Sequence, residues 1–200
     1  MPADLDYFGA KPVGVNPQRA AATVGMWLFL ASLVMLFAAS ILGYALIRLG
    51  PGHRNAPPLH LPWLLWVSTV MVFGVSIALH RALGEVKRER QGPFRKWIRI
   101  SLILGIAFVA IQAPALVMLM NSHRVLRASG VGFYGLIFSF ILLHALHVVG
   151  GIVRLIVVTH RSFAGAYDHE HYLPVRYVAM YWHFLDVVWV IMFLTFWLIG

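Results

Sequence analysis

Few side chains in this sequence can do chemistry where they stand, because most ionisable groups sit at the ends of long apolar runs. The exceptions are His144, His147, His183 and Asp186, with Gln112 as a neutral companion. His144 and His147 are three residues apart, as are His183 and Asp186, so in a helix each pair occupies one face. Imidazole and carboxylate groups can bind haem iron, ligate a metal or pass protons. Haem ligation, however, wants two histidines facing each other across a gap, and two on one helix face rarely serve one iron. A proton relay wants several intramembrane carboxylates, and Asp186 stands alone. The run Asp168-His169-Glu170-His171 has metal-ligand residue types but reads more simply as a solvated interfacial loop. The structural reading is preferred for each motif. These are polar groups that lock helices together, with no catalytic residue and no metal or cofactor bound by this chain.

The elements that must position them are plain from the charge pattern. The chain has 200 residues, 60% hydrophobic and 12% charged, where soluble globular proteins carry about 25% charged residues. Five charge-poor stretches cover residues 20–47, 55–80, 100–123, 128–153 and 177–200, and Asp186 is the one formal charge within them. A helix needs roughly 20 apolar residues to cross a bilayer. The fold class expected is all-α, an integral membrane bundle of five transmembrane helices forming one domain over 1–200. The helices are expected near 20–48, 61–83, 98–122, 131–159 and 174–199. Pro114 interrupts the third, and Gly130, Gly132, Gly135, Gly150 and Gly151 along the fourth allow close helix approach. The loop at 51–61 is proline-rich, and Gly92-Pro93 is expected to break the segment that follows helix two. The first residues lack a signal peptide's apolar core.

A formal charge of +9 could suggest nucleic acid, but twelve of the sixteen Lys and Arg residues fall on one side of a five-span chain. That side carries Lys11 and Arg19, the loop of Arg81, Lys87, Arg88, Arg90, Arg95, Lys96 and Arg99, and then Arg154, Arg161 and Arg176. The positive-inside rule then places the N-terminus in the cytoplasm and the C-terminus outside. No nucleic-acid partner is expected. The absence of cysteine removes disulfides, thiolate zinc sites and covalent c-type haem attachment. His147 and Asp186 both lie about 18 Å from the basic ends of their helices, at about 1.5 Å per residue. Antiparallel packing of helices four and five should therefore bring the polar residues to one level. Asp186 is expected to meet His147 or His183, directly or through a water.

The segment Tyr181-Trp182-His183-Phe184-Leu185-Asp186-Val187-Val188-Trp189, continuing through Phe193 to Gly200, resembles the C-terminal signature of subunit III of the haem–copper respiratory oxidases. The run His144-Ala145-Leu146-His147-Val148-Val149-Gly150 is similar to the family's His-Gly-Leu-His-Val segment, with Tyr134-Gly135 before it and Arg161 after it. Weaker matches are Leu28-Phe29-Leu30-Ala31-Ser32 with Val34-Met35, and Gln112. Family members commonly have acidic residues where this chain has Leu33 and Ala115, and a Thr-Gly pair where it has Ile141-Leu142. The missing acids remove support for a carboxylate-dependent role such as a proton antenna.

The resemblance, to the five-helix prokaryotic form, implies a subunit of a cytochrome c oxidase-type complex in the inner (plasma) membrane. Such a subunit binds neither haem nor copper, which belong to its partners. It flanks catalytic subunit I, with subunit II and further respiratory-complex subunits beside it, stabilises the catalytic subunit and holds phospholipid. The resemblance assigns Arg161 to a lipid phosphate. Two alternatives stay open: a quinol oxidase or nitric-oxide-reductase-associated homologue, and a small transporter or channel using the His/Asp residues.

Overall fold

The computed structural model describes residues 17–50, 63–127 and 133–199. The tail before Pro17, the whole proline-rich loop at 51–61, and Gly130 and Gly132 lie outside the described residues. Among the described residues the regular secondary structure is all helical: α1 Pro17–Leu49, α2 Leu64–Lys87, α3 Gln91–Arg127, α4 Phe133–Phe163 and α5 Leu173–Ile199. All five are long and apolar enough to cross a membrane. The shortest, α2, has 24 residues and at about 1.5 Å per residue spans about 36 Å. Helices suit that setting because their backbone groups bond within the segment, where lipid offers no partner.

The third helix begins at Gln91, ahead of the expected start near 98, and takes in the Gly92-Pro93 pair expected to break the chain. Proline is tolerated there because N–H groups of a first turn have no intrahelical acceptor to lose. The connection from α2 is consequently a tight turn. Glu89 takes φ 59° in it, and the amides of Glu89 and Arg90 close onto the carbonyls of Val86 (3.2 Å) and Glu85 (3.1 Å).

Contacts among the helices define the architecture. Helix α2 packs on α3, α3 on α4, α4 on α5 and α5 back on α2, which closes a four-helix ring; α1 lies outside it, against α4 and α5. Among the described residues α1 does not pack against α2 or α3. The main core fills the ring with Val75, Leu79, Phe94, Ile98, Phe108, Leu155, Val175 and Trp182. A second, smaller core of Phe37, Tyr44, Phe140, Ile141, Val188, Met192 and Phe196 glues α1 to the ring.

Trp182 shows how tightly the ring closes. It is 1% exposed. A Cβ on Gly151 of α4 would stand 3.3 Å from its ring and 3.1 Å from Tyr181, and one on Gly105 of α3 would stand 3.3 Å from its ring. Two glycines on neighbouring helices thus make the notch that receives the indole. Gly151 performs the close approach expected of α4, whereas Gly150 has only ordinary space, with Tyr181 at 3.9 Å.

Candidate functional site

Helix α5 carries most of the polar chemistry, and its faces divide it. Trp182, Leu185 and Trp189 point into the main core, while Val188, Met192 and Phe196 face α1. His183 and Asp186 face α2. There the hydroxyl of Ser76 donates to Oδ2 of Asp186, and the same Oγ lies 2.6 Å from Nδ1 of His183. Two turns along α2, Thr69 accepts a hydrogen bond from Nε1 of Trp189 at 3.0 Å. Ser76 and Thr69 are seven residues apart and share a face of α2, which runs antiparallel to α5 and so meets His183, Asp186 and Trp189 in reverse order. Asp186 is 5% exposed.

The histidines of α4 live elsewhere. His144 is buried and stacks on Trp189, with ring centroids 5.5 Å apart and planes at 29°. Phe37 of α1 presents its ring to His144 at 6.1 Å and to His147 at 5.5 Å. Nδ1 of His147 is 2.7 Å from the carbonyl of Leu143, one turn back on its own helix. The hydroxyl of Tyr181 donates to the carbonyl of His147 at 2.9 Å, the direct polar tie between α4 and α5 at this level.

The four residues expected to form one polar cluster between α4 and α5 are therefore parted. Among the described residues no hydrogen bond joins His144 or His147 to His183 or Asp186. The i,i+3 pairing held each couple to a common face, but the face of His183 and Asp186 looks to α2. Asp186 does reach His183, through the hydroxyl of Ser76 that both contact. Ser76 and Thr69 escaped the sequence reading because hydroxyl residues in apolar helices usually bond back to their own carbonyls, as Ser68 does to Leu65 at 2.9 Å. The recoverable signal was their seven-residue spacing. Gln112 is buried, and its Oε1 has no partner among the described residues.

The basic end is organised by aromatic rings and carbonyls. Arg81 lies over Trp97 at 4.8 Å and Lys87 over Tyr172 at 5.1 Å. Arg99 lies over Phe163 at 5.1 Å, and Nε of Arg95 donates to the carbonyl of Ser162 at 3.1 Å. In the α4–α5 loop, Oδ1 of Asp168 accepts the backbone N–H groups of His171 (2.7 Å) and Glu170 (2.9 Å). The His171 amide above all, with that of Glu170 helping, holds this carboxyl below its ordinary range. His169 reaches across to Glu89 in the α2–α3 turn. The acidic and imidazole groups of this loop are thus spent on shaping and docking it, and no group of three metal-ligand side chains converges among the described residues.

Arg161 is exposed at the end of α4, where it and Arg154 act electrostatically on Tyr167, whose hydroxyl is pushed upward chiefly by burial. Arg154, rather than Arg161, lines a groove of about 320 Å³ between α1, α4 and α5, together with Met26, Phe29, Tyr177 and Tyr181.

With this geometry in place, comparisons with known proteins are specific. The family model for cytochrome c oxidase subunit III matches residues 13–200. A cytochrome bo(3) ubiquinol oxidase subunit 3 from Pseudomonas aeruginosa is 25% identical over 205 residues, covering 99% of this chain and 94% of the relative. The cytochrome c oxidase subunit 3 of Corynebacterium diphtheriae is 28% identical, with 90% of this chain and 92% of the relative covered. That of Bacillus subtilis is 26% identical, with 98% and 94% covered. The chain belongs to the cytochrome c oxidase subunit III family.

Proposed function

We propose that this member of the family is the non-catalytic subunit III of a terminal haem–copper oxidase, packed against the subunit that reduces oxygen and pumps protons. The observation that carries the reading is the family match over 13–200; several of the chain's intramembrane polar groups bond within its own bundle. Nδ1 of His147 binds its own helix, and Nδ1 of His183 and Oδ2 of Asp186 are tied to Ser76. Haem and copper then belong to partner subunits, with subunit II among them, and this chain's contribution is a shaped membrane surface. Relatives are named for both ubiquinol and cytochrome c oxidases, and the reading embraces either electron donor.

The basic end faces the cytoplasm of a prokaryote in this proposal, since Lys and Arg accumulate on the inner side of membranes. At that level Arg154 and Arg161 suit a phospholipid phosphate, and the groove past Met26 and Phe29 suits its acyl chain. Purification tests the reading. The chain should co-migrate with haem-containing subunits, and Asp186→Asn should weaken that association while leaving turnover per assembled haem unchanged. Isolation as a free oligomer with transport activity, and no haem-bearing partner, would overturn it.

A further inference from the structure

Trp182 and Trp189 stand seven residues apart on α5 and both enter the main core, about 10.5 Å apart along the helix. The positions flanking Trp182 are Gly105 on α3 and Gly151 on α4, where an added Cβ would in each case lie 3.3 Å from its ring. Seven residues make two helical turns to within about 20°, and α4 runs antiparallel to α3 and α5. The same layer repeated at Trp189 therefore reads Gln112 from α3 and His144 from α4. The stack of His144 on Trp189, with centroids 5.5 Å apart, agrees with that register. Two glycines that make room for an indole in one layer give way, in the next, to two polar side chains.

Both side chains are shut in. Gln112 is 9% exposed and His144 3%, and neither Oε1 of Gln112 nor Nδ1 of His144 has a hydrogen-bond partner among the described residues. Their neighbours in the layer cannot serve them. Nε1 of Trp189 donates to Thr69 on α2, and Phe108, with its centroid 5.8 Å from that of Trp189, is apolar. A buried polar atom without a partner carries its full desolvation cost, and two such atoms here share one layer of the ring.

We propose that this layer binds one water molecule, which bridges Oε1 of Gln112 to Nδ1 of His144. Water suits the site because it both donates and accepts. It donates to Oε1, and it meets Nδ1 whether that nitrogen carries the proton or a lone pair, so the bridge does not depend on the tautomer. Exchanging O and N of the amide only reverses the role of the water. A direct bond would need the proton on Nδ1, and the two atoms do not bond each other. A metal ion would need more donors than these two, and no group of three metal-ligand side chains converges among the described residues. Gln91 and Arg95 tie α3 to the α4–α5 loop and to the end of α4 at the basic end. The bridge joins α3 to α4 near the opposite end of the span, and the site stands whichever complex the chain serves.

Two measurements test the site. The first is a density map of the intact protein, with the subunits that co-purify, at a resolution that orders internal waters. A peak about 2.7–3.2 Å from both atoms is expected. A dry layer, or Gln112 bonded directly to His144, would overturn the proposal. The second is unfolding in mixed micelles of Gln112→Met and His144→Phe, alone and combined. With a bridging water, each single change strands it on one partner. The ratio of folded to unfolded protein should then fall roughly three- to tenfold, the range for one hydrogen bond between membrane helices. The double variant should lose less than the product of the two. Without the water, each apolar replacement would remove a burial cost and raise the ratio. A rise, or two losses that multiply independently, would therefore sink the bridge. If a variant fails to fold, the map of the unchanged protein decides alone.

Discussion

Two of the three seams of α5, those with α2 and α1, are built on different principles. Toward α2 it makes directional bonds: Ser76 to His183 and Asp186, and Trp189 to Thr69. Toward α1 it offers mainly shape, through Val188, Met192 and Phe196 packed on Phe37 and Tyr44, with Phe196 edge-on to Tyr44 at 5.3 Å. A polar tie, Thr23 to the hydroxyl of Tyr177 at 2.8 Å, pins the basic end of α1. Lipid tails are as apolar as these side chains, so apolar contact alone gains little from leaving lipid. The contrast teaches that the ring is specified by hydrogen bonds and notches, whereas α1 is placed by fit. Helix α1 accordingly leaves much of its apolar length exposed, including Trp27, Leu28, Met35, Leu42 and Leu46.

The contrast can be broken most severely at the notch. Gly151→Leu would drive side-chain carbon into Tyr181 and Trp182, already 3.1 and 3.3 Å from an added Cβ. Overpacking of this kind costs about 1–3 kcal/mol, and here it should separate α4 from α5. Thermal unfolding in detergent would register it, and an unchanged Tm would mean that Trp182 has room to spare. Phe37→Ala comes next. Its cost should fall well below the ~3–5 kcal/mol of such a truncation in a soluble core, and it should be confined to α1. Engineered cysteine crosslinks should weaken between α1 and α5 while those between α2 and α5 persist; joint weakening would merge the two seams into one.

Ser76→Ala sharpens the comparison from the other side. Removing the bridge should cost about 0.6–1.7 kcal/mol, the scale of a hydrogen bond between membrane helices, and loosen α2 from α5 without moving α1. The smallest effect lies outside the membrane, in the α4–α5 loop. The carboxyl of Asp168 is held below its ordinary range by the amides it accepts. Its contribution is therefore present above the unfolded pKa near 4 and is lost as pH falls through the lower folded value. Amide exchange at Glu170 and His171 should quicken over that acidic window while the helical amides stay protected. Exchange that is flat with pH would deny the carboxylate its role.

Much of the architecture was legible in advance, for a physical reason. A bilayer permits few structures, so long charge-poor runs become helices regardless of detail. The start of α3 was less legible, because a first turn forgives the proline that would break a helix interior, and Pro93 therefore carried no stop signal. The polar residues were legible as faces but not as neighbours. Spacing of three put His183 and Asp186 side by side, while nothing local said whether that face met α4 or α2. The answer depended on Ser76, a residue whose hydroxyl has a default partner in its own backbone and so advertises no other. His144 shows the same limit, because its stack on Trp189 depends on a crossing of helices that no window of sequence contains.

One consequence concerns the order of synthesis. Helix α5 leaves the ribosome after the other four, yet it is the element that α1, α2 and α4 all touch. Until it inserts, the notch of Gly105 and Gly151 stands empty, Ser76 lacks Asp186 and His183, and Thr69 lacks the indole of Trp189. The nascent chain must wait in the membrane as helices joined chiefly through α2, α3 and α4, with the site for Trp182 held open. Arrival of α5 then acts as a keystone. A chain interrupted before residue 173 would present that unfilled cleft to whatever surveys the membrane for unfinished proteins.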